Sequence, residues 1–365
     1  MQLNQEKASY TYFFKNCIFI ISGYLRLTFI RLARNFISTN MKVTLFSVMI
    51  FCLTFPLYSQ NLVPNPSFEK TDSVGCSYIA NKKEFSTILQ DWYMPTTGTA
   101  DIFQMSAPDS TDCPLHPFST AVIAIGQAAP IDGSNMIGLY TFFEHARAGC
   151  PGYREYAQVK LIEPLIAGEK YYAAFYVSLA DSSKYATAPP SLLFSTGPIE
   201  SDSSCSLIEA EPQVQFTGYA ENTKTWDKVS AVFEVGDSYG FITIGSFRRD
   251  DQISAREVFE PLNNIFDGAY YYIDSVFVEK IDNLYIPNII TPNGDGFNDK
   301  FVIDNLSSDR WILTVVNRYG KRVFKSTYYD NQWDGGGLVS GVYYYSLRYR
   351  FTSEIQYKGT ITIIY

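Results

Sequence analysis

GEKYYAAFYVSLAD, Gly168 to Asp181, sets the reading of the chain. Tyr171, Ala173, Phe175, Val177 and Leu179 recur at every second position, so one face of an extended segment is apolar from end to end. Just upstream, Ala157, Val159 and Leu161 repeat the period, and Ala167-Gly168-Glu169 supplies a hairpin-like break between the two runs. Downstream, Val229, Ala231, Phe233 and Val235 form another such face. A turn through Gly236 to Gly240 follows, and Ile242 and Ile244 return on the next strand. AYYYIDSVFV, Ala269 to Val278, is apolar or aromatic at nearly every position, the mark of a central strand covered on both sides. Past the N-terminal leader no segment carries a sustained 3.6-residue stripe. The expected fold is therefore all-β, with strands buried between two sheets.

The C-terminal part follows the same logic in shorter pieces. IPNIITPNGDGFNDKF, Ile286 to Phe301, crowds Pro, Gly, Asn and Asp, residues that turn the chain because Gly reaches positive φ and Asx side chains bond their own backbone. Phe301 to Ile303, Trp311 to Val316, Arg322 to Phe324, Val342 to Tyr349 and Lys358 to Tyr365 read as strands, with breaks at Asn317 to Gly320 and Gly335 to Gly337. About seven short strands in so little chain suit a small immunoglobulin-like β-sandwich.

These blocks carry a resemblance. TPNGDGFND, LTVVNRYGKRVF (Leu313 to Phe324), WDG (Trp333 to Gly335), GVYYYSL (Gly341 to Leu347) and KGTITII (Lys358 to Ile364) are similar, in that order, to the gliding-motility-associated C-terminal domain, the type B sorting domain of the type IX secretion system. The resemblance implies an immunoglobulin-like fold over 282–365. It also implies recognition by the type IX secretion machinery, and delivery to the cell surface, the outer membrane or the medium. Upstream, NLVPNPSFE (Asn61 to Glu69), DWYMPTTGTADIF (Asp91 to Phe103), REYAQVKL (Arg154 to Leu161), GEKYYAAFYVSLAD, FITIGSF (Phe241 to Phe247) and AYYYIDSVFV resemble galactose-binding-like jelly rolls, the fold of many carbohydrate-binding modules. That likeness covers most of 61–281, implies a jelly-roll domain over 60–281, and transfers no catalytic motif. Residues 280–284 leave a short linker between the two domains.

Composition agrees with export. The chain has 365 residues, 46% of them hydrophobic and 16% aromatic, with a net charge of −8. Phosphate binding needs clustered Lys and Arg, so an acidic chain argues against a nucleic-acid partner. Met41-Lys42 reads as a start, Val43 to Pro56 as the apolar stretch of a signal peptide over 41–59, and Leu57-Tyr58-Ser59 as its cleavage motif before Gln60. Residues 1–40, with Lys7, Lys15, Arg26, Arg31 and Arg34 against Glu6, are then upstream sequence from a misplaced start; the alternatives are an unusually long n-region or a membrane segment near Ile18 to Ile30 interrupted by Arg26. Four cysteines remain after cleavage, Cys76, Cys113, Cys150 and Cys205, with no CxxC pair for a metal. An even number in an oxidising compartment reads as two disulfides, Cys76–Cys113 and Cys150–Cys205 among three connectivities.

For chemistry the sequence offers binding rather than catalysis. It holds two histidines, His116 and His145, and none of the nucleophile-elbow, zinc, phosphate-loop or dinucleotide motifs. The expectation is a non-enzymatic protein that needs no cofactor. Asn293, Asp295, Asn298 and Asp299 present hard oxygens in one turn and suggest calcium. The turn departs from the EF-hand template, with Phe297 at a ligand position and Asp304 in place of the closing Glu. Sugar-binding sandwiches stack aromatic rings on pyranose faces and hold hydroxyls with polar side chains. On that chemistry Trp92, Tyr93, Tyr140, Phe142, Tyr153 and Arg154 are the candidate ligand contacts, for a polysaccharide or surface glycan. The other readings are an adhesin-like protein acting by protein contacts and a hydrolase whose carboxylates lie apart in sequence.

Overall fold

A computed structural model describes residues 61–73, 81–105, 129–144, 152–202, 207–258 and 267–365. Residues 1–60, Cys76, Cys113, Cys150 and Cys205 and both histidines lie outside the described residues, so the signal peptide and disulfide expectations do too. No helix among the described residues is long and apolar enough to cross a membrane.

The fold is all-β. In the first domain, strands β1 (Trp92–Tyr93), β4 (Ala157–Lys160), β7 (Ser191–Ser195) and β9 (Phe241–Gly245) form a sheet of order β1-β4-β9-β7. Strands β2 (Asp101–Gln104), β3 (Asn135–Phe143), β5 (Lys170–Leu179), β8 (Asp227–Glu234) and β11 (Gly268–Lys280) form the other, of order β2-β3-β11-β5-β8. Every pairing in both sheets is antiparallel. Their inner faces share one apolar core: Val159, Leu192, Ile242 and Ile244 from the first sheet meet Phe175, Val177, Tyr271 and Ile273 from the second. A two-stranded ribbon, β6 (Tyr185–Ala186) with β10 (Arg256–Glu257), lies beside this jelly-roll sandwich. The helix α1 (Lys82–Ile88) is too short to show as a periodic stripe. Asn81 caps it by accepting from the N–H groups of Lys83 and Glu84, and it buries Phe85 and Ile88.

β11 takes the middle position of its sheet, and both of its faces are covered. Ala269, Tyr271 and Ile273 point into the core, whereas Tyr270 and Tyr272 join Phe103 and Met136 in a cluster on the outer side. A bulge between Asp274 and Phe277, with Ser275 at φ 54°, then inserts one residue and resets the phase. Beyond it Val276 and Val278 face the core, and Phe277 turns outward. Asp274 fixes the bulge: one carboxylate oxygen accepts from the N–H groups of Ile131 (2.8 Å) and Asp132 (3.0 Å), the other from Ser275 (2.6 Å). The N-terminal segment Asn61 to Glu69 lies alongside without forming a strand. Pro64 and Pro66 cannot donate to a ladder, so Asn61 bonds the Val276 carbonyl and the Val278 N–H through its side-chain amide.

The second domain is smaller. Strands β12 (Ile289–Ile290), β13 (Trp311–Val316), β14 (Arg322–Ser326), β15 (Gly341–Tyr349) and β16 (Gln356–Ile363) make one sheet of order β12-β16-β15-β13-β14, parallel only between β12 and β16. Trp311, Leu313, Val315, Leu347 and Ile361 on its inner face pack against Phe301, Ile303, Tyr329 and Trp333. Phe301 to Ile303 is irregular rather than the expected strand. Its partner is a side chain: the Asn331 amide both accepts from the Ile303 N–H and donates to the Ile303 carbonyl at 3.0 Å.

The two domains share buried surface. Tyr172, on the outer side of β5, packs on Tyr349 and Phe351 and donates to the Phe351 carbonyl at 3.3 Å. Asp282 accepts from the Trp311 indole at 2.8 Å and from Ser307. Glu279, at the end of β11, meets Arg310 at 2.6 Å with side chains only 1% and 3% exposed. Burial pushes the Glu279 carboxyl upward and the facing Arg310 guanidinium pulls it back down, while Asp282 and Asp309 add to the upward push.

Two outcomes follow from these buried charges. Replacing Arg310 by Met strands Glu279 and is expected to lower unfolding free energy by about 3–5 kcal/mol, whereas the apolar pair Arg310→Met with Glu279→Leu recovers most of it. Urea denaturation of the intact chain measures both. Asp274 supplies a pH dependence, because burial raises its carboxyl to about 7 although three N–H groups hold it down. A carboxyl raised above its unfolded value stabilises most fully in acid and loses that contribution as pH rises through the folded value. Comparing denaturation curves from pH 4 to 8, Asp274→Asn is therefore expected to remove a decline in stability that the parent chain shows over that range.

Candidate binding groove

A groove of about 320 Å³ opens on the first sandwich beside β7, the last strand of its sheet. Two segments build it. Residues 212–219 run beside β7, held by paired backbone bonds between Val214 and Leu192. Because Val214 is buried there, its neighbour Gln215 and the next residue, Phe216, stay exposed. Residues 246–254 leave β9 and curl through a single 3-10 turn at Asp250–Gln252. Phe247 anchors this second segment by packing against Tyr156 and Leu193. The Tyr156 hydroxyl donates to the Ser246 carbonyl at 2.7 Å.

The lining combines rings with hydrogen-bonding groups. Phe216 is 46% exposed. Tyr219 has the Arg256 guanidinium over its ring at 4.2 Å and its hydroxyl against that of Ser254. Arg248 donates to the Gln215 side-chain oxygen at 2.9 Å, and Gln252 completes the polar side. No Asp, Glu, His or Cys lines the groove among the described residues. Flat rings beside amides, hydroxyls and a guanidinium can stack on an apolar surface and hold polar groups around its rim.

The six side chains expected to bind ligand do not converge here. Trp92 is a core residue, 1% exposed, with Phe68 at 5.1 Å and its indole N–H donated to the Asn65 carbonyl. A ring with both faces packed cannot stack on a sugar, which corrects that assignment. Tyr93, half-buried, lies on the other side of the same short strand. Burial first, then the nearby Glu200, raises its hydroxyl.

Tyr140 and Tyr153 do come together on the outer side of the larger sheet, bridged by Phe143 at 4.3 Å and 5.5 Å. Glu155 ties them from behind, accepting from the Tyr153 hydroxyl and the Tyr140 N–H, both at 2.8 Å. Tyr153 is buried, its hydroxyl pushed upward by that burial and by Glu155, so it forms a wall rather than an open platform. Phe142 is turned away: the register skips Thr141 between Ala269 and Tyr270, and Phe142 packs edge-on against Tyr185 at 5.7 Å.

Arg154 is a correction of a different kind. Its side chain is 1% exposed and ion-paired with Asp250, so it is not a surface contact. It donates to the Tyr153 carbonyl at 2.8 Å and to the Arg248 carbonyl at 3.4 Å, which pins the 248–250 backbone of the groove from beneath. The groove residues Gln215, Phe216, Tyr219 and Arg248 were missed by sequence reasoning. Their signal was faint, an aromatic pair spaced around Thr217-Gly218 in a segment without strand periodicity.

The acidic turn of the second domain engages its own backbone. Asn293 and Asp295 accept from N–H groups two residues on, and the two oxygens of Asp299 accept from Gly294 and Gly296 at 2.7 Å and 2.8 Å. Those bonds hold the Asp299 carboxyl below its usual range. Gly294 and Gly296 sit at φ 81° and 86°, where a side chain would be strained. Among the described residues no group of three or more His, Cys, Asp or Glu is gathered as a metal site.

Residues 284–363 match the family described as CHU_C Type IX secretion signal domain. The chain therefore ends in a type IX sorting domain, and the protein is exported to the cell surface or the extracellular space. No curated protein matches the sequence. Among solved structures the chain is similar to the CBM22-1 xylan-binding domain from Paenibacillus barcinonensis Xyn10C, at 11% identity over 61% of this chain and 96% of that one, with a TM-score of 0.29. It is similar to the CBM22-1-CBM22-2 tandem domain of the same protein at 9% identity, over 84% and 85% of the two chains, with a TM-score of 0.33. The adhesin domain of Epf from Streptococcus pyogenes is similar at 8% identity over 84% and 97%, with a TM-score of 0.26. Likenesses this distant assign no ligand to this chain.

Proposed function

We propose that the first sandwich is a non-catalytic glycan-binding module, exported by the sorting domain that follows it. The observation that carries this reading is the groove beside β7, where Phe216 and Tyr219 stand among Gln215, Arg248, Gln252 and Ser254. A pyranose offers an apolar face of axial C–H groups and a rim of hydroxyls. An exposed ring meets the first, and amide, guanidinium and hydroxyl groups meet the second. The groove's size suits a short stretch of saccharide rather than a protein surface. Its two walls are fixed by backbone pairing to β7 on one side and by Arg154 and Tyr156 on the other, so little ordering is left to binding.

The test is affinity electrophoresis of the intact chain through gels containing soluble xylan, β-glucan or polygalacturonate. Retardation by at least one polymer is expected. Phe216→Ala and Tyr219→Ala are each expected to weaken it about tenfold, the loss of about 1.4 kcal/mol of stacking. Phe216→Ala should leave the melting temperature nearly unchanged, because that ring is open to solvent. Trp92→Ala should instead lower the melting temperature, as the loss of a packed core ring does. Mobility unaffected by every polymer would overturn the reading and favour a protein partner.

A further inference from the structure

We propose that the glycan held by this groove is acidic, and that Arg248 reads its negative charge; this rests on the glycan-binding reading above. Arg154 is paired with Asp250, Arg249 with Asp251 at 3.3 Å, and Arg256 with Glu221 at 2.6 Å. Arg248 lines the groove and pairs with no carboxylate among the described residues. Its one side-chain bond there is to the neutral amide oxygen of Gln215. Three of these four guanidinium groups are thus ion-paired, and the fourth, Arg248, is the one that lines the groove.

That charge is local and aimed. The chain as a whole carries −8, so a polyanion is repelled by most of the surface and gains nothing from non-specific attraction. Arg248 is held in place at both ends. Its carbonyl accepts from Arg154, and its guanidinium is steadied by Gln215. A planar guanidinium with one nitrogen spent on an amide still offers N–H groups to a carboxylate or a sulfate ester, with geometry that a lysine ammonium lacks. The Phe216 ring lies in the same groove, so stacking and charge recognition act on one saccharide segment. The chemistry shared by the two anions is an oxyanion on a sugar ring, as in a uronate or a sulfated residue.

The intact chain is run through gels of polygalacturonate, carboxyl-reduced polygalacturonate, a sulfated galactan and neutral xylan, at low and high salt. The expected result is retardation by an acidic polymer, weakened by salt and absent from the neutral ones. Polygalacturonate against its carboxyl-reduced form identifies a uronate; retention by the sulfated polymer alone identifies a sulfate. Arg248→Met is expected to lower that affinity about ten- to a hundredfold, the range for a hydrogen bond to a charged group. Arg248→Lys should recover part of it. Unchanged melting temperatures show that both variants fold. If neutral xylan is bound as well as the acidic polymers, or if Arg248→Met binds acidic polymer like the parent chain, the inference falls and the glycan-binding module stands. If no polymer is bound, both fall together.

Discussion

The strand from Gly268 to Lys280 carries apolar or aromatic side chains on both faces, and covering both is the constraint on which the rest of the molecule depends. One face needs a second sheet, which β1, β4, β7 and β9 supply. The opposite face is covered in two parts. Near the start of the strand Tyr270 and Tyr272 are shielded in the aromatic cluster with Phe103 and Tyr140. Near its end Phe277 packs on Phe351 of the second domain. The bulge at Ser275 permits this change of cover, because it moves Phe277 to the outer face without breaking the pairing with β5. The last residues of the strand then present Glu279 to Arg310. A buried charge pair of this kind contributes little net stability, but it penalises any arrangement that separates its members.

The division of labour follows from that architecture. The sorting domain is joined to its cargo through a buried contact, not held at the end of a flexible tether. The groove lies on the edge of the smaller sheet of the first sandwich, built on β7 and on the segment that leaves β9. Edge strands are natural places for such a site. Their unpaired backbone must be covered by something, and here residues 212–219 cover it while leaving Gln215 and Phe216 outward.

The sequence was most legible where period two was clean. The faces of β4, β5, β8 and β9, the central place of β11 and the turn chemistry of Gly294 to Asp299 could all be read from residue order. Three things resisted it. Bulges change which side a residue faces: the skipped Thr141 sent Phe142 inward, and nothing in NMIGLYTFF announces it. Side chains that stand in for a strand, such as Asn331 beside Ile303, leave no periodic trace. Burial of a polar-tipped residue depends on distant partners. Trp92 found the Asn65 carbonyl and Arg154 found Asp250, so two side chains with the chemistry of a sugar site became supports. The groove itself joins segments thirty residues apart that lack strand periodicity, brought together by the pairing of Val214 with Leu192 and by the side-chain bonds of Arg248 with Gln215 and of Tyr219 with Ser254.

The central claim is that an address at the C-terminus carries a ligand-binding sandwich out of the cell. The most direct measurement leaves the chain intact, because the two sandwiches share buried surface and truncation would unpair Glu279 and Asp282. The full chain is expressed in a type-IX-competent bacterium and in an isogenic strain lacking the outer-membrane translocon of that system. Protease is then added to whole cells. Degradation of the protein is expected in the first strain, and protection, with accumulation in the periplasm, in the second. Equal degradation in both strains would contradict the claim.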